Sequence, residues 1–362
     1  MEENNTHNTH LPSYIPYSQK DEYKWEKIYE SQNQKTIVYY GSQKNNSNED
    51  DISNEDDIYI KQININFEDS CCIRNIIKEI YFLILLKNQD YIVHLNDVFF
   101  DNEENTKYIF LIFKGGTTSL DKFLHFSLYK EKFLPNKQLI SWIIFQIAMG
   151  IYIIHKNTLI HNDIKPQNIL IDKNANVCIS DFGSCIYKDE ICYDFTNYYA
   201  PPEVLLDNHS KRTKKGDIWS FGLVILRIFL VKKEIFTGDN REVFTKSIFA
   251  RFGFNNNLTQ NEMTSIMNDD SKSTRKIELT EDEINSIDNN DVLDLIYNML
   301  VLNPEKRYSI DNILESKYFD EFQEFKSSNT PATINWDYNK LREENIGQEQ
   351  LRNIINKLKS NL

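Results

Sequence analysis

The spacing of apolar residues changes along this chain. In its first third they alternate, or run in short β-branched stretches, at Trp25 and Ile28, at residues 36–41 and 57–63, and at residues 91–95 and 108–113. Alternation puts every second side chain on one face, and β-branched and aromatic residues suit a pleated, half-buried surface, so each stretch predicts a strand. One segment breaks the pattern. Ile73, Ile76, Ile77, Ile80, Leu83 and Leu86 recur at helical spacing, with Glu79 among them. After residue 119 helices take over. Ser119 is placed to cap a short helix, residues 136–156 predict a long buried one, and residues 217–231 predict another. Between the last two, residues 169–171 and 177–180 form a β-hairpin pattern.

Four stretches carry little apolar periodicity or are rich in polar residues. Residues 1–20 read as a flexible extension. Residues 42–56 hold Asn, Ser and Gln with Glu49, Asp50, Asp51, Glu55 and Asp56, and cannot bury enough surface to offset their ordering entropy. A disordered insert between two strands is the reading preferred over an acidic docking site. Residues 255–290 hold polar inserts, and residues 341–362 are helix-patterned, fit to pack on the larger lobe or to bind a partner. The net charge of −13 argues against nucleic-acid backbone binding. The apolar run at 139–154 is interrupted by Ser141, Gln146 and Gly150 and is too short for a bilayer, and the polar start of the chain is unlike a secretory signal. Five cysteines with no paired C-x-x-C pattern suit a reducing compartment and no structural zinc, which places the protein inside the cell, in cytoplasm or nucleus.

The chemistry is concentrated where the long helix meets the hairpin. His161-Asn162-Asp163-Ile164-Lys165-Pro166-Gln167-Asn168 sets an Asp, a Lys two residues on and an Asn five residues on, and Asp181-Phe182-Gly183 follows the second hairpin strand. These groups suit phosphoryl transfer from a magnesium nucleotide, which needs a carboxylate for the hydroxyl proton, a cation for the moving phosphoryl group and hard oxygens for metal. The two motifs, in this order, resemble the catalytic loop and metal-binding turn of eukaryotic protein kinases. The likeness covers residues 21–323. It implies an α+β, two-lobed kinase fold, with a small antiparallel sheet plus one helix at 21–114 and a larger helical lobe at 115–323, and the helix-patterned residues beyond it read as a C-terminal helical extension at 324–362.

The resemblance assigns roles residue by residue. Asp163 and Lys165 are implied as catalytic, with Asn168 and Asp181 holding Mg2+. Lys61 taken alone reads as an edge-strand lysine. Glu79 lies eighteen residues on, the separation of the family's phosphate-gripping ion pair. Ile28, Phe113, Lys114, Gly116 and Leu170 are implied to line the ATP site, with Lys114 and Gly116 at the hinge. Structural or regulatory roles fall to His161, Asn162, Phe182, Gly183, Thr196, Glu203, Asp217 and Arg307, with Arg307 the implied partner of Glu203. Lys165 and Thr196 point to Ser/Thr substrates. The segments at 235–253 and 293–307 are similar to the cyclin-dependent and MAP kinase group, although Ala200 stands where proline-directed members carry Arg. Two other departures stand out. Asn162 replaces the usual Arg, and residues 29–35, where the family has its phosphate-covering loop, contain no glycine. The resemblance therefore implies a Ser/Thr kinase using Mg-ATP, with a nucleotide-binding pseudokinase scaffold as the alternative. Its partners would be a protein substrate, neither nucleic acid nor membrane, and an activator or scaffold meeting the Glu79 helix or the C-terminal extension.

Overall fold

The computed structural model describes residues 23–31, 35–43, 57–101, 107–115, 117–129, 136–187, 197–207, 209–230, 235–325 and 346–362. They divide into two compact units, one spanning 1–117, 172–174 and 329–362, the other 118–171 and 175–328. The expected extension at 1–20 and most of the expected insert at 42–56 lie outside the described residues. Residues 42 and 43 do not belong to that insert, because they extend a strand and pair with residues 24 and 23.

The first unit is a five-stranded antiparallel sheet with helices. Its strands are β1 (Tyr23–Glu30), β2 (Thr36–Gln43), β3 (Ile58–Asn64), β4 (Leu95–Phe100) and β5 (Tyr108–Lys114), ordered β1-β2-β3-β5-β4. Alternation sends Ile58 and Ile60 of β3 into a core with Trp25, Tyr39, Phe110 and Ile112, and turns Lys61 to the opposite face. Helix α1 (Ser70–Leu85) starts where the Asp69 carboxylate accepts the Cys71 and Cys72 N–H groups. The strand expected at 91–95 begins at Leu95 instead. Tyr91 has a left-handed backbone, φ 63°, which ends any extended run through it.

The second unit is mainly helical. It opens with β6 (Thr117–Ser119) and α2 (Leu120–Tyr129), where the Ser119 hydroxyl accepts the Lys122 N–H. Helix α3 (Lys137–Lys156) is capped by Asn136 and is apolar and long enough to cross a membrane, yet 78% of its most apolar window is buried inside the protein. Strands β7 (Leu159–Ile160), β8 (Ile169–Asp172), β9 (Val177–Ile179) and β10 (Ile186–Tyr187) follow, with β8 and β9 paired antiparallel. The rest is helical: α4 (Pro202–Leu206), α5 (Lys214–Leu230), α6 (Arg241–Ala250), α7 (Gln260–Asn268), α8 (Asp270–Ser273), α9 (Glu281–Ile287), α10 (Asn290–Met299) and α11 (Ile310–Leu314). The polar stretch at 255–290 is thus largely helix. Thr259 and Thr280 open α7 and α9 with capping boxes, while Met263, Ile266, Met267 and Ile287 face inward.

The final helix, α12 (Gln348–Lys359), corrects an expectation. It belongs to the first unit and packs on α1 and β4, not on the larger unit. Its only apolar stripe, Leu351, Ile355 and Leu358, is buried there.

Across β1 and β2, Trp25 is paired with Gly41, and a Cβ at residue 41 would fall inside the indole ring's contact distance. Gly41→Val is therefore expected to destabilise the sheet by about 1–3 kcal/mol through overpacking. Urea unfolding followed by tryptophan fluorescence checks this, and an unchanged midpoint would show that the indole can move aside.

Candidate active site

The loop after β7 is built on a buried carboxylate. Asp217, in the first turn of α5 and 2% exposed, accepts the backbone N–H of His161 at 2.9 Å and of Asn162 at 2.8 Å. His155, near the end of α3, places Nε2 2.9 Å from the same carboxylate. Three partners satisfy a group whose burial alone would be costly. Asn162 has φ 65°, and Asn tolerates that left-handed conformation better than most residues. The turn it makes carries Asp163 out of the loop.

Asp163 is then held from two sides. Lys165 Nζ lies 2.7 Å from its Oδ2, and the Asn168 side-chain amide donates to both its Oδ2 and its backbone oxygen at 2.9 Å. Asp163 and Lys165 side chains are 10% and 18% exposed, so both remain accessible to solvent. Because Asn168 uses its Nδ2 on Asp163, its Oδ1 is left to act as an acceptor. The Asn168 carbonyl accepts the Ser180 N–H at 2.9 Å and hydroxyl at 3.0 Å. This locks the end of β8 to the end of β9, and Asp181 follows directly. It is exposed and left-handed, with φ 63°. An amide oxygen and a carboxylate at one end of one hairpin form a hard-oxygen pair that fits Mg2+, an ion that keeps waters and phosphates as its other ligands. Among the described residues there is no cluster of three or more His, Cys, Asp or Glu side chains fit to hold a metal unaided.

The surrounding residues fix this geometry. Phe182 is fully buried and meets the His161 ring edge-on at 5.2 Å, and His161 Nε2 lies 3.1 Å from the Ser180 carbonyl. Gly183 sits in the short 3-10 turn that follows Asp181. Leu170, half-buried, pairs with Cys178 across the hairpin. Farther along, Arg307 makes a two-pronged pair with Glu203 at 2.8 and 2.7 Å, donates to the Val301, Leu302 and Lys215 carbonyls, and lies over the Trp219 ring.

The first unit holds the remaining charged pair. Lys61, at the centre of β3 between Val38 and Leu111, puts Nζ 2.6 Å from Glu79 Oε1 on α1. The Glu79 side chain is 5% exposed and that of Lys61 16%. A contact this short and this buried fixes the ammonium in place. Ile28 falls at the β1 irregularity between Lys27 and Tyr29, where an extra residue re-aims the strand. Phe113 is half-buried on β5. Lys114 gives its N–H to Asn96 Oδ1 at 2.8 Å, so a backbone contact from Lys114 to a ligand falls to its carbonyl. Gly115, at φ 116°, is in a conformation only glycine adopts readily. Gly116, Thr196 and part of the glycine-free segment, 32–34, lie outside the described residues.

Sequence reasoning missed Ser180, His155 and Gln146. The Gln146 side chain donates to the Ala175 carbonyl and accepts the Val177 N–H, tying α3 to the hairpin turn. A polar residue inside an apolar helical run was the only local signal for it, and for His155. A family model described as the protein kinase domain matches residues 48–319, beginning after the glycine-free segment.

The Glu203–Arg307 pair carries a stability test. Arg307→Met strands a largely buried carboxylate and is expected to cost about 3–5 kcal/mol. The measurement is chemical unfolding of the full chain. A loss below about 1 kcal/mol would mean that Glu203 rehydrates freely.

Proposed function

The chain belongs to the protein kinase family, whose members are phosphotransferases, and we propose that it is an active enzyme transferring the γ-phosphate of ATP to serine or threonine hydroxyls. The observation that carries this reading is Asp163, fixed by Lys165 and Asn168 yet still open to solvent. Within hydrogen-bond reach of a substrate hydroxyl, its carboxylate takes the proton as that oxygen bonds to the γ-phosphorus. The bond from the γ-phosphorus to the bridging oxygen breaks, and ADP leaves. Lys165, already paired with Asp163, stabilises negative charge on the group in transit. Lys61, held by Glu79, is the cation assigned to the remaining nucleotide phosphates. Mg2+, bound through Asn168 and Asp181, would neutralise phosphate charge.

Lys165 and Thr196 support Ser/Thr targets, and the segments at 235–253 and 293–307 support kinship with the cyclin-dependent and MAP kinase group, with Ala200 as the exception. An intracellular setting, in cytoplasm or nucleus, is part of this reading and rests on the five cysteines lacking a paired C-x-x-C pattern. A second reading, a nucleotide-binding scaffold without turnover, draws on one observation, the absence of glycine at 29–35. Against it stands the complete set of charged groups, Lys61, Glu79, Asp163, Lys165 and Asp181, together with the Asn168 amide.

ADP release from Mg-ATP with a generic Ser/Thr substrate distinguishes the two readings. Asp163→Asn should lower turnover about 10²- to 10⁴-fold while nucleotide binding changes little. Asp181→Asn should weaken binding that depends on magnesium. Unchanged turnover in Asp163→Asn would remove Asp163 as the base.

Asn162 generates a further expectation. A cationic residue before the catalytic Asp can clamp a phosphate through charge-assisted hydrogen bonds, and a neutral amide cannot do so with comparable strength. Activity should therefore survive phosphatase treatment. Loss of activity that is restored by rephosphorylation within residues 184–196 would show that another cation performs the clamping.

A further inference from the structure

Helix α1 is buried on more than one side. Residues 79–84 are all buried, and six consecutive residues cover the full circumference of a helix. A sheet covers only one face of a helix packed on it, so other elements must cover the rest. Among the described residues of this unit, α12 is the helix that packs on α1, and it also reaches β4.

The contact is specific at both ends and along its length. Leu351, Ile355 and Leu358 recur at i, i+4 and i+7 and are at most 1% exposed, while Asn353, Asn356 and Lys357 point outward. Lys359 lies 2.5 Å from the Asp97 carboxylate of β4 and donates to the Val98 carbonyl at 2.9 Å. Lys87, just past the end of α1, donates to the Asn361 carbonyl and, at 3.3 Å, to that of Leu362. The Arg352 guanidinium lies 4.6 Å from the centre of the Phe100 ring at the far end of β4. A helix of this length with one narrow apolar stripe is marginal in water by itself, so its folding is coupled to docking.

We propose that α12 is a built-in positioning element for the Lys61–Glu79 pair, holding α1 in place through the surface it shares with β4. Glu79 reaches Lys61 only while α1 keeps its place against the sheet, and a buried ion pair loses its value when one partner shifts. Leu351, Ile355, Leu358 and Lys359 are the positioning residues. The inference rests on the kinase reading in one respect, the assignment of Lys61 to nucleotide phosphate.

The test uses the full chain and reads binding, so it is separable from turnover. Ile355→Glu places a charge in the apolar contact and should weaken Mg-ATP binding about tenfold or more, the equivalent of a displaced charged hydrogen bond. Amides of α1 should lose hydrogen-exchange protection in the same variant. A synthetic peptide of residues 346–362 added in trans should restore most of both. In a Lys61→Ala background, Ile355→Glu should have little further effect on binding, because the route through Lys61 is already gone. Lys359→Glu, at a half-exposed position, should produce the same changes on a smaller scale and carries the test if Ile355→Glu does not fold. Wild-type Mg-ATP affinity in a folded Ile355→Glu protein would overturn the proposal. So would failure of the peptide to restore binding, or an equal loss in the Lys61→Ala background. A wild-type chain that binds Mg-ATP without transferring phosphate would sink the activity reading and leave this inference to its binding data.

Discussion

The buried carboxylate of Asp217 is the constraint on which the loop at 161–168 depends. A charge removed from water has to be matched by donors, and here two consecutive backbone N–H groups and a histidine ring supply them. Two adjacent amides aim at one carboxylate only if the chain turns sharply between them. That turn puts Asn162 in the left-handed region and positions Asp163, whose side chain stays 10% exposed, beside Lys165. The carboxylate is thereby a determinant of where Asp163 stands, although it does not touch the Asp163 side chain. His161 extends the constraint through its contacts with Phe182 and the Ser180 carbonyl, so loop and hairpin are fixed by one network.

The same economy appears at the other polar groups of the site. Asn168 divides its amide between two tasks: its nitrogen orients Asp163, and its side-chain oxygen remains for a cation. Its main-chain oxygen anchors Ser180, and with it the residue before Asp181. Removing Asn168 would loosen Asp163 and the tie to Ser180 together, so the effects of mutating these residues should not add. In the first unit, Lys61 depends likewise on Glu79, and Glu79 on the packing of α1. Function in both units rests on side chains held by other side chains, with the hydrophobic core as the rigid support.

Much of this was legible in the sequence because it is local. Alternation at 57–63 gave β3, helical spacing from Ile73 gave α1, and the loop at 161–168 and the turn at 181–183 stood out by residue type and short spacing. Lys61 taken alone read as an edge-strand lysine, but β3 lies inside the sheet between β2 and β5. The strand expected at 91–95 failed for a local reason too. Tyr91 takes a left-handed backbone, a choice its side chain does not advertise. The polar stretch at 255–290 concealed helices because short helices with one buried face need few apolar residues, and Thr259 and Thr280 were their unread capping signals.

By itself, then, the sequence determined most of the strands of the first unit, helix α1 and the long helix α3, and that Glu203 and Arg307 carry opposite charge. Only the tertiary structure decided that His155, Ser180 and Gln146 would brace the site, since their partners lie 62, 12 and 31 residues away. It also decided that α12 would dock on α1 and β4. An amphipathic stripe states that one face must be buried, because exposed apolar surface is unfavourable in water. It does not state against what, because hydrophobic burial is non-directional. The choice fell to Lys359 with Asp97 and to Lys87 with the terminal carbonyls, pairings that exist only after the chain has folded back.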